Sequence, residues 1–279
     1  MDLFDRSVGK KHSDLTEIQK FNEIDALKIN AIQLVRAVST DFTKIGGRPN
    51  LGSEFQWPTY GNISLAFICQ LELSEINDKT VGLPNCGQLY FFYVQDQSTW
   101  GNEPKDLGSW RVVYRESEEL LPETPCPEDL EMASMYKPVF VKGKPLITYP
   151  NREEKKVEPL CLDDEEEKRL WDLRENQYGK YPHHQIGGWP DPIQSPEMYK
   201  ECQLCSNGIS PEDAFARPSD SGILALLESS EEWVLLLQID TDYETGMIWR
   251  DAGMLYFWIK KSDVQARKFD NVWMILQCG

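Results

Sequence analysis

His183-His184-Gln185-Ile186-Gly187-Gly188-Trp189-Pro190-Asp191-Pro192 contains an Ile-Gly-Gly-x-Pro word that occurs once before, as Ile45-Gly46-Gly47-Arg48-Pro49. Two further words recur in the same order. Cys69-Gln70-Leu71 is answered by Leu237-Gln238-Ile239. Gly87-x-Leu89-Tyr90-Phe91-Phe92 is answered by Gly253-x-Leu255-Tyr256-Phe257-Trp258. The spacing between these last two words is similar, 17 residues in the first copy and 15 in the second. One such match carries little weight, but three in one order predict an internal duplication, with repeats at about 45–115 and 186–279. Each copy reads as strands. In the first they fall at 65–71, 88–94 and 110–114. In the second they fall at 233–239, 253–259 and 271–277, all rich in aromatic and β-branched residues between Gly and Pro turns. Neither copy has enough strands to bury a face alone. The expected fold is mainly β (α+β), a duplicated β-rich unit forming a roll with pseudo-twofold symmetry and peripheral helices, in one domain over 1–279.

Outside the repeats the texture changes. An N-terminal helix is predicted over 12–28, because Asp14 precedes Glu17 at capping-box spacing and Leu15, Ile18, Phe21 and Leu27 fall on one face. Residues 32–38 favour a strand through their β-branched content. In the connecting region, 116–180, Pro122, Pro125 and Pro127 forbid helix interior and central strand. The acidic run 163–167 before Lys168 and Arg169 suits a helix start, where negative charge complements the macrodipole. The second copy carries an insertion, 192–232, ahead of its first strand. Ser262 is placed as the cap of a short helix reaching about 269.

The formal net charge is −17, from 46 acidic and 29 basic residues. That field repels phosphates and argues against a nucleic-acid partner. It favours encounter with a basic protein, although acidity also serves solubility alone. The seven cysteines are odd in number and scattered, which suggests no disulfide framework. The N-terminal residues have no apolar core of a signal peptide, and the run 233–237 is far too short to span a bilayer. A reducing, cytoplasmic location without a membrane partner is expected.

Four groups could carry chemistry. Asp240-x-Asp242-x-Glu244, with Asp251 at the twelfth position, has the ligand spacing of a calcium loop. But Gly246 is misplaced by one, the twelfth residue is not Glu, and the flanks read as strands. A solvated hairpin connection between the two strands is the favoured reading over a cation site. Cys202-x-x-Cys205 with His183 or His184 could approach a zinc site, but no second Cys or His pair completes it. His183 and His184 could do acid–base work if a carboxylate oriented them, and Asp191 and Glu201 are the nearest in sequence. Trp57, Trp100, Trp189 and Trp249 lie near loops. Trp189 and Trp249 sit where a Trp can mark an interface, with core burial as the competing role. No dinucleotide fingerprint, phosphate loop, nucleophile elbow or zinc-protease motif is present.

With these residues in view, the chain resembles the YwqG-like family of bacterial proteins. The resemblance rests on Ile45-Gly46-Gly47-x-Pro49 followed by Trp57-Pro58, on 65–73, and on Gly87-x-Leu89-Tyr90-Phe91-Phe92. It continues in His184-Gln185-Ile186-Gly187-Gly188-x-Pro190, in Glu201-Cys202-Gln203-Leu204 and in 235–259, and covers roughly 30–279. It implies a mainly β roll with a duplicated unit, and no activity or cofactor carries over from it. The family's acidic loop matches Asp240, Asp242 and Asp251, whereas Cys205 departs from its pattern. Sequence reading therefore leads to a non-enzymatic binding module, immunity-like in character, that engages a basic protein. No catalytic residue, metal or cofactor is assigned. The candidate binding residues are His183, His184, Trp189, Asp240, Asp242, Trp249 and Asp251. The alternative is a metal-dependent or His/Asp enzyme. Oligomeric state is not readable from the chain.

Overall fold

The computed structural model describes residues 15–39, 42–76, 80–117, 119–180 and 182–279. The first part of the chain forms α1 (Glu17–Ala26), β1 (Ile29–Arg36), β2 (Lys44–Ile45), β3 (Thr59–Tyr60), β4 (Ile63–Glu72), α2 (Leu73–Ile76), β5 (Gln88–Val94) and β6 (Trp110–Arg115). The second forms β7 (Val139–Thr148), α3 (Asp164–Tyr178), β8 (Gln185–Ile186), α4 (Met198–Cys205), α5 (Pro211–Phe215), α6 (Ser221–Glu228), β9 (Trp233–Asp240), β10 (Met254–Lys260), α7 (Lys261–Gln265) and β11 (Trp273–Gln277). All strands join one 11-stranded sheet, antiparallel at every pairing.

The sheet is a mainly antiparallel, nearly closed roll, and its strand order reads the same from both ends. It runs β11-β10-β9-β8-β1-β7-β2-β4-β5-β6, with β3 hydrogen-bonded to β4 beside the path. Thus β8, β9, β10 and β11 occupy on one side the places that β2, β4, β5 and β6 occupy on the other. The leading strands are exchanged. β1 precedes the first unit but pairs with β8, and β7 precedes the second but pairs with β2. β1 and β7 then pair with each other along eight residues at the centre. Each unit therefore needs the other's leading strand to satisfy its ladder hydrogen bonds.

The recurring words have matching jobs. Both Gly pairs adopt positive φ, +72° and +78° at Gly46 and Gly47, +67° and +76° at Gly187 and Gly188. A side chain at Gly46 would meet the Lys137 carbonyl at 2.3 Å, and one at Gly188 the Ala31 side chain at 2.6 Å. Only glycine fits there. The buried glutamines read the turns that follow. The Asn50 N–H donates to Gln70 Oε1 and the Asp191 N–H to Gln238 Oε1, both at 2.9 Å. Gln70 Nε2 donates to the Phe42 carbonyl and Gln238 Nε2 to the His183 carbonyl, at 2.8 and 2.7 Å. The Tyr90 hydroxyl donates to the Asn50 carbonyl and the Tyr256 hydroxyl to the Asp191 carbonyl, at 2.9 and 2.7 Å. The register slips once in each long strand pair, past Ile68 and past Leu236, two residues before each glutamine.

One core serves both halves. β4, β5, β9 and β10 are buried almost end to end, so they read as continuous apolar runs rather than alternating ones. Phe91 and Phe257, in corresponding strands, meet edge-to-face at 5.1 Å. That contact adds about 1 kcal/mol beyond the area each ring buries. Trp110 at the start of β6 meets Trp273 at the start of β11 at 4.9 Å, which brings the two ends of the sheet together. Helices lie outside. α1 and α3 cover a small cluster around Ile24, Val157, Leu160 and Leu170, and the helices of the 192–232 insertion cover Leu204, Ala214 and Ile223.

Three local expectations need correction. The N-cap of α1 is Thr16, paired with Gln19 in a capping box, and Asp14 lies outside the described residues. Ser262 falls inside α7, which starts at Lys261 and stops at Gln265. The connecting region 116–180 holds a full central strand, β7, that the sequence reading missed. The acidic helix start is found as expected, with Asp163 capping α3 and Glu166 closing the box.

Candidate functional site

β8 leads into the second Gly-Gly turn, and β9 runs beside it and ends at Asp240. Adjacency of these two strands places the residues before β8 against the loop after β9. His183, His184, Asp191, Asp240 and Asp242 meet there, and all but Asp191 are less than 5 % exposed. The His183 backbone N–H donates to Asp240 Oδ2 at 2.8 Å. The His183 ring places Nδ1 2.9 Å from Asp191 Oδ2 and stacks on Tyr178 at 4.2 Å. Asp191 also receives Arg174 at 3.3 Å.

His184 is held differently. Its Nδ1 lies 3.1 Å from the Asp240 backbone nitrogen, which can only donate. The neutral ring therefore carries its proton on Nε2. That Nε2 faces Asp242 Oδ2 at 3.6 Å. Arg36, at the end of β1, grips Asp242 with 2.8 and 3.0 Å contacts and also pairs with Glu244. Burial alone would raise the Asp242 carboxyl, but the nearby His184 imidazole, the Arg36 guanidinium and the Thr245 backbone hold it below the usual carboxylate range. Asp240 lacks such a cation. Burial raises it, and the His183 N–H and the two imidazoles only temper the rise.

His184 and Asp242 floor a cleft of about 160 Å³ walled by Arg36, Val139, Val141 and Lys180. That is below the ≈ 300 Å³ at which drug-sized ligand pockets begin. The remaining N–H of His184 is buried and turned toward Asp242, because the other ring nitrogen is engaged by the backbone. A general base would need the reverse arrangement, with Nδ1 donating and Nε2 open. His183 has that polarity toward Asp191, but its ring is stacked and buried away from the cleft lining. Among the described residues no three His, Cys, Asp or Glu side chains converge as metal ligands would.

The first half shows what the fold itself requires at these positions. Phe42 stands where His183 does, because the carbonyl of each accepts from the buried glutamine. Thr43 matches His184, since the Glu72 N–H donates to Thr43 Oγ1 at 3.0 Å as the Asp240 N–H does to the imidazole. Leu34 N–H reaches the His184 carbonyl and Val141 N–H the Thr43 carbonyl, completing the match. Asn50 answers Asp191. One half thus builds the corner from Phe, Thr and Asn, and the other from His, His and Asp. Two imidazoles and an extra carboxylate are not demanded by the backbone geometry.

The remaining candidates lie elsewhere. Trp249 is fully buried between Tyr93 and Tyr136, at 6.3 and 5.7 Å, so its ring serves the core and offers no outward surface. Trp189 is half-buried, and its indole N–H donates to the Leu27 carbonyl at 2.7 Å, tying α1 to the turn after β8. Asp251 is exposed at the tip of the following turn, and no contact joins its carboxylate to Asp240 or Asp242. Cys202 and Cys205 are buried and free on α4, and burial pushes both thiols up. Arg36 and Lys180 were missed, because nothing local in the sequence marks a strand-end Arg 206 residues from its partner.

Removing the Arg36 guanidinium should cost about 1–2 kcal/mol near neutral pH, since Asp242 is nearly buried and would lose its cationic partner. Asp242 has a lowered folded-state value. The stability it contributes is present above the ordinary carboxylate range and is lost as pH falls through the lowered value. The gap between wild type and Arg36→Ala in urea titrations should therefore narrow below about pH 4. A gap that stays constant down to acid would mean the pair is not coupled to folding.

A nearly closed antiparallel roll of two matching strand sets, with its ionisable corner confined to one of them, defines a β-rich domain with no catalytic motif to name it. The chain belongs to the family described as a domain of unknown function (DUF1963), which matches residues 43–278. No curated protein matches the chain. Among the described residues no helix is long and apolar enough to cross a membrane.

Proposed function

We propose that this chain is a cytoplasmic, YwqG-like binding module, built by internal duplication, that engages a basic protein without transforming it. The observation that carries this reading is the formal charge of −17 on a fold whose histidine corner is closed on itself. Asp191, Asp240 and Asp242 are each held by an internal donor, and His184 turns its remaining ring N–H toward Asp242. The acidic residues outside that corner remain available as a field that accelerates encounter with a cationic surface. An immunity-like role, in which the module occupies and masks a basic partner, is one form this takes.

The test is capture of partners by the tagged chain from lysate of its source cells, at low and high salt. A stoichiometric basic protein that leaves at high salt is the expected result. Repeated capture of nothing, or of an acidic protein indifferent to salt, overturns the proposal. The competing reading is a metal-dependent or His/Asp enzyme at Asp242 and His184. It would gain if calcium or zinc raised the melting temperature and Asp242→Ala abolished the rise.

A further inference from the structure

A second pocket, remote in sequence from the histidine corner, lies where α4 approaches the end of β11. About 150 Å³ of half-open space is bordered by Trp100, Asn102, Gln194, Ser195, Glu201 and Gln277, among others. Its amide wall is already saturated. Gln277 Oε1 accepts the N–H groups of Ile193 and Gln194, at 3.1 and 3.0 Å, and its Nε2 donates to the Ser195 carbonyl at 2.8 Å. Gln194 Nε2 donates to the Cys278 carbonyl at 2.9 Å. Those groups are rigid and have little left to offer a ligand.

Glu201 is the exception. Among the described residues no hydrogen bond or ion pair engages its carboxylate. The nearby ammonium of Lys200 is spent on Glu197, 2.5 Å away. Burial and the charge of Glu197 push Glu201 up to about 7, so its ionised form is under-stabilised and an incoming cation would relieve it. Trp100 shares the pocket, and its ring already carries the Arg250 guanidinium 5.8 Å from its centre, so an incoming cation would meet the ring's remaining surface. The space is too small for a cofactor and of the size of a side-chain head.

The geometry points to this pocket as a socket for an arginine side chain of the basic partner, with Glu201 taking the guanidinium and Trp100 lining its plane. Arginine suits it better than lysine, since a planar fork can meet a carboxylate with two bonds and lie against an indole at once. The inference rests on the binding-module reading for its partner, though the socket itself can be tested without one.

The probe is n-butylguanidinium chloride, added to the full chain and followed by the Trp100 indole N–H resonance, assigned by comparison with Trp100→Phe. A saturable shift is expected, with an apparent affinity weakened about tenfold or more in Glu201→Gln. Glu201→Gln removes an unpaired charge, so it should melt no lower than wild type, which separates lost binding from lost fold. n-Butylammonium should bind more weakly. A shift that never saturates, that survives Glu201→Gln, or that n-butylammonium reproduces equally overturns the arginine socket. Failure of the two readings can be told apart. A captured basic partner whose affinity ignores Glu201→Gln sinks the socket alone. A working socket on a chain that captures no basic protein sinks the binding-module reading alone.

Discussion

Replacing Gly101 by alanine is expected to cost about 3–5 kcal/mol, the sum of a left-handed backbone penalty and a steric one. Gly101 has φ +80°, and a Cβ there would come within 1.8 Å of the Met274 carbonyl oxygen. The obstacle is backbone in β11, so no flexible side chain can swing away. The residue sits where the loop before β6 seals the free edge of β11. Its N–H donates to Asp106 Oδ2 at 2.9 Å, its carbonyl accepts the Trp273 indole N–H at 2.7 Å, and the neighbouring Trp100 carbonyl accepts the Leu276 N–H at 2.9 Å. Pushing that loop outward breaks these together and exposes an edge strand. Gly208→Ala is the control. Its φ is also +80°, but nothing lies within 4 Å of the added carbon, so only the backbone penalty of about 1 kcal/mol applies. Urea unfolding should separate the two variants by 2 kcal/mol or more. Equal costs would mean that the seam yields and that closure of the roll contributes little.

The seam also marks the boundary of what the chain's letters disclose. Each repeated word has a fixed backbone task, so the words could be matched by eye. Gly46 and Gly187 must turn, Gln70 and Gln238 must read that turn, and Tyr90 and Tyr256 must reach back to it. The strand over 88–94 was legible for the same reason, since seven buried residues leave only an apolar run. β7 was not. Its interior carries Lys142, Gly143, Lys144 and Pro145, a composition of turns, and it is a strand because β1 lies opposite with Gly143 facing Leu34 and Pro145 facing Ile32. A side chain at Gly143 would meet Ile32 at 2.8 Å, a constraint that exists only once the strands have met. The helices α4 to α6 were equally silent, being too short to show a period. In the site, the histidines and Asp240 could be foreseen together because the word before β8 and the loop after β9 belong to one repeat. Arg36 could not, because it arrives on a strand exchanged from the other half. Trp249 misled through its loop composition. The rings that bury it, Tyr93 and Tyr136, come from segments more than 100 residues away.

Gln238→Leu should cost about 3 kcal/mol, and Gln70→Leu about the same. Leucine fills nearly the same volume, so the loss is polar rather than a cavity. Each substitution strands one part-buried N–H and one buried carbonyl, at up to about 1–3 kcal/mol apiece when left unmet, and Gln70→Leu also takes a donor from Asn50 Oδ1, which Lys44 still meets. Because β1 and β7 are exchanged between the units, both variants should still unfold in one transition, with calorimetric and van't Hoff enthalpies equal. Two separate transitions in Gln70→Leu would show that the second half folds alone, and the interlocked-roll account would fall. The comparison of the two costs decides something further. Gln70 braces a corner of Phe42, Thr43 and Asn50, while Gln238 braces the corner of His183, His184 and Asp191. If the costs agree, the ionisable corner adds no more to stability than its plain counterpart. If Gln238→Leu costs several kcal/mol more, the corner is a structural brace, and the search for function moves to the Glu201 pocket and the acidic surface.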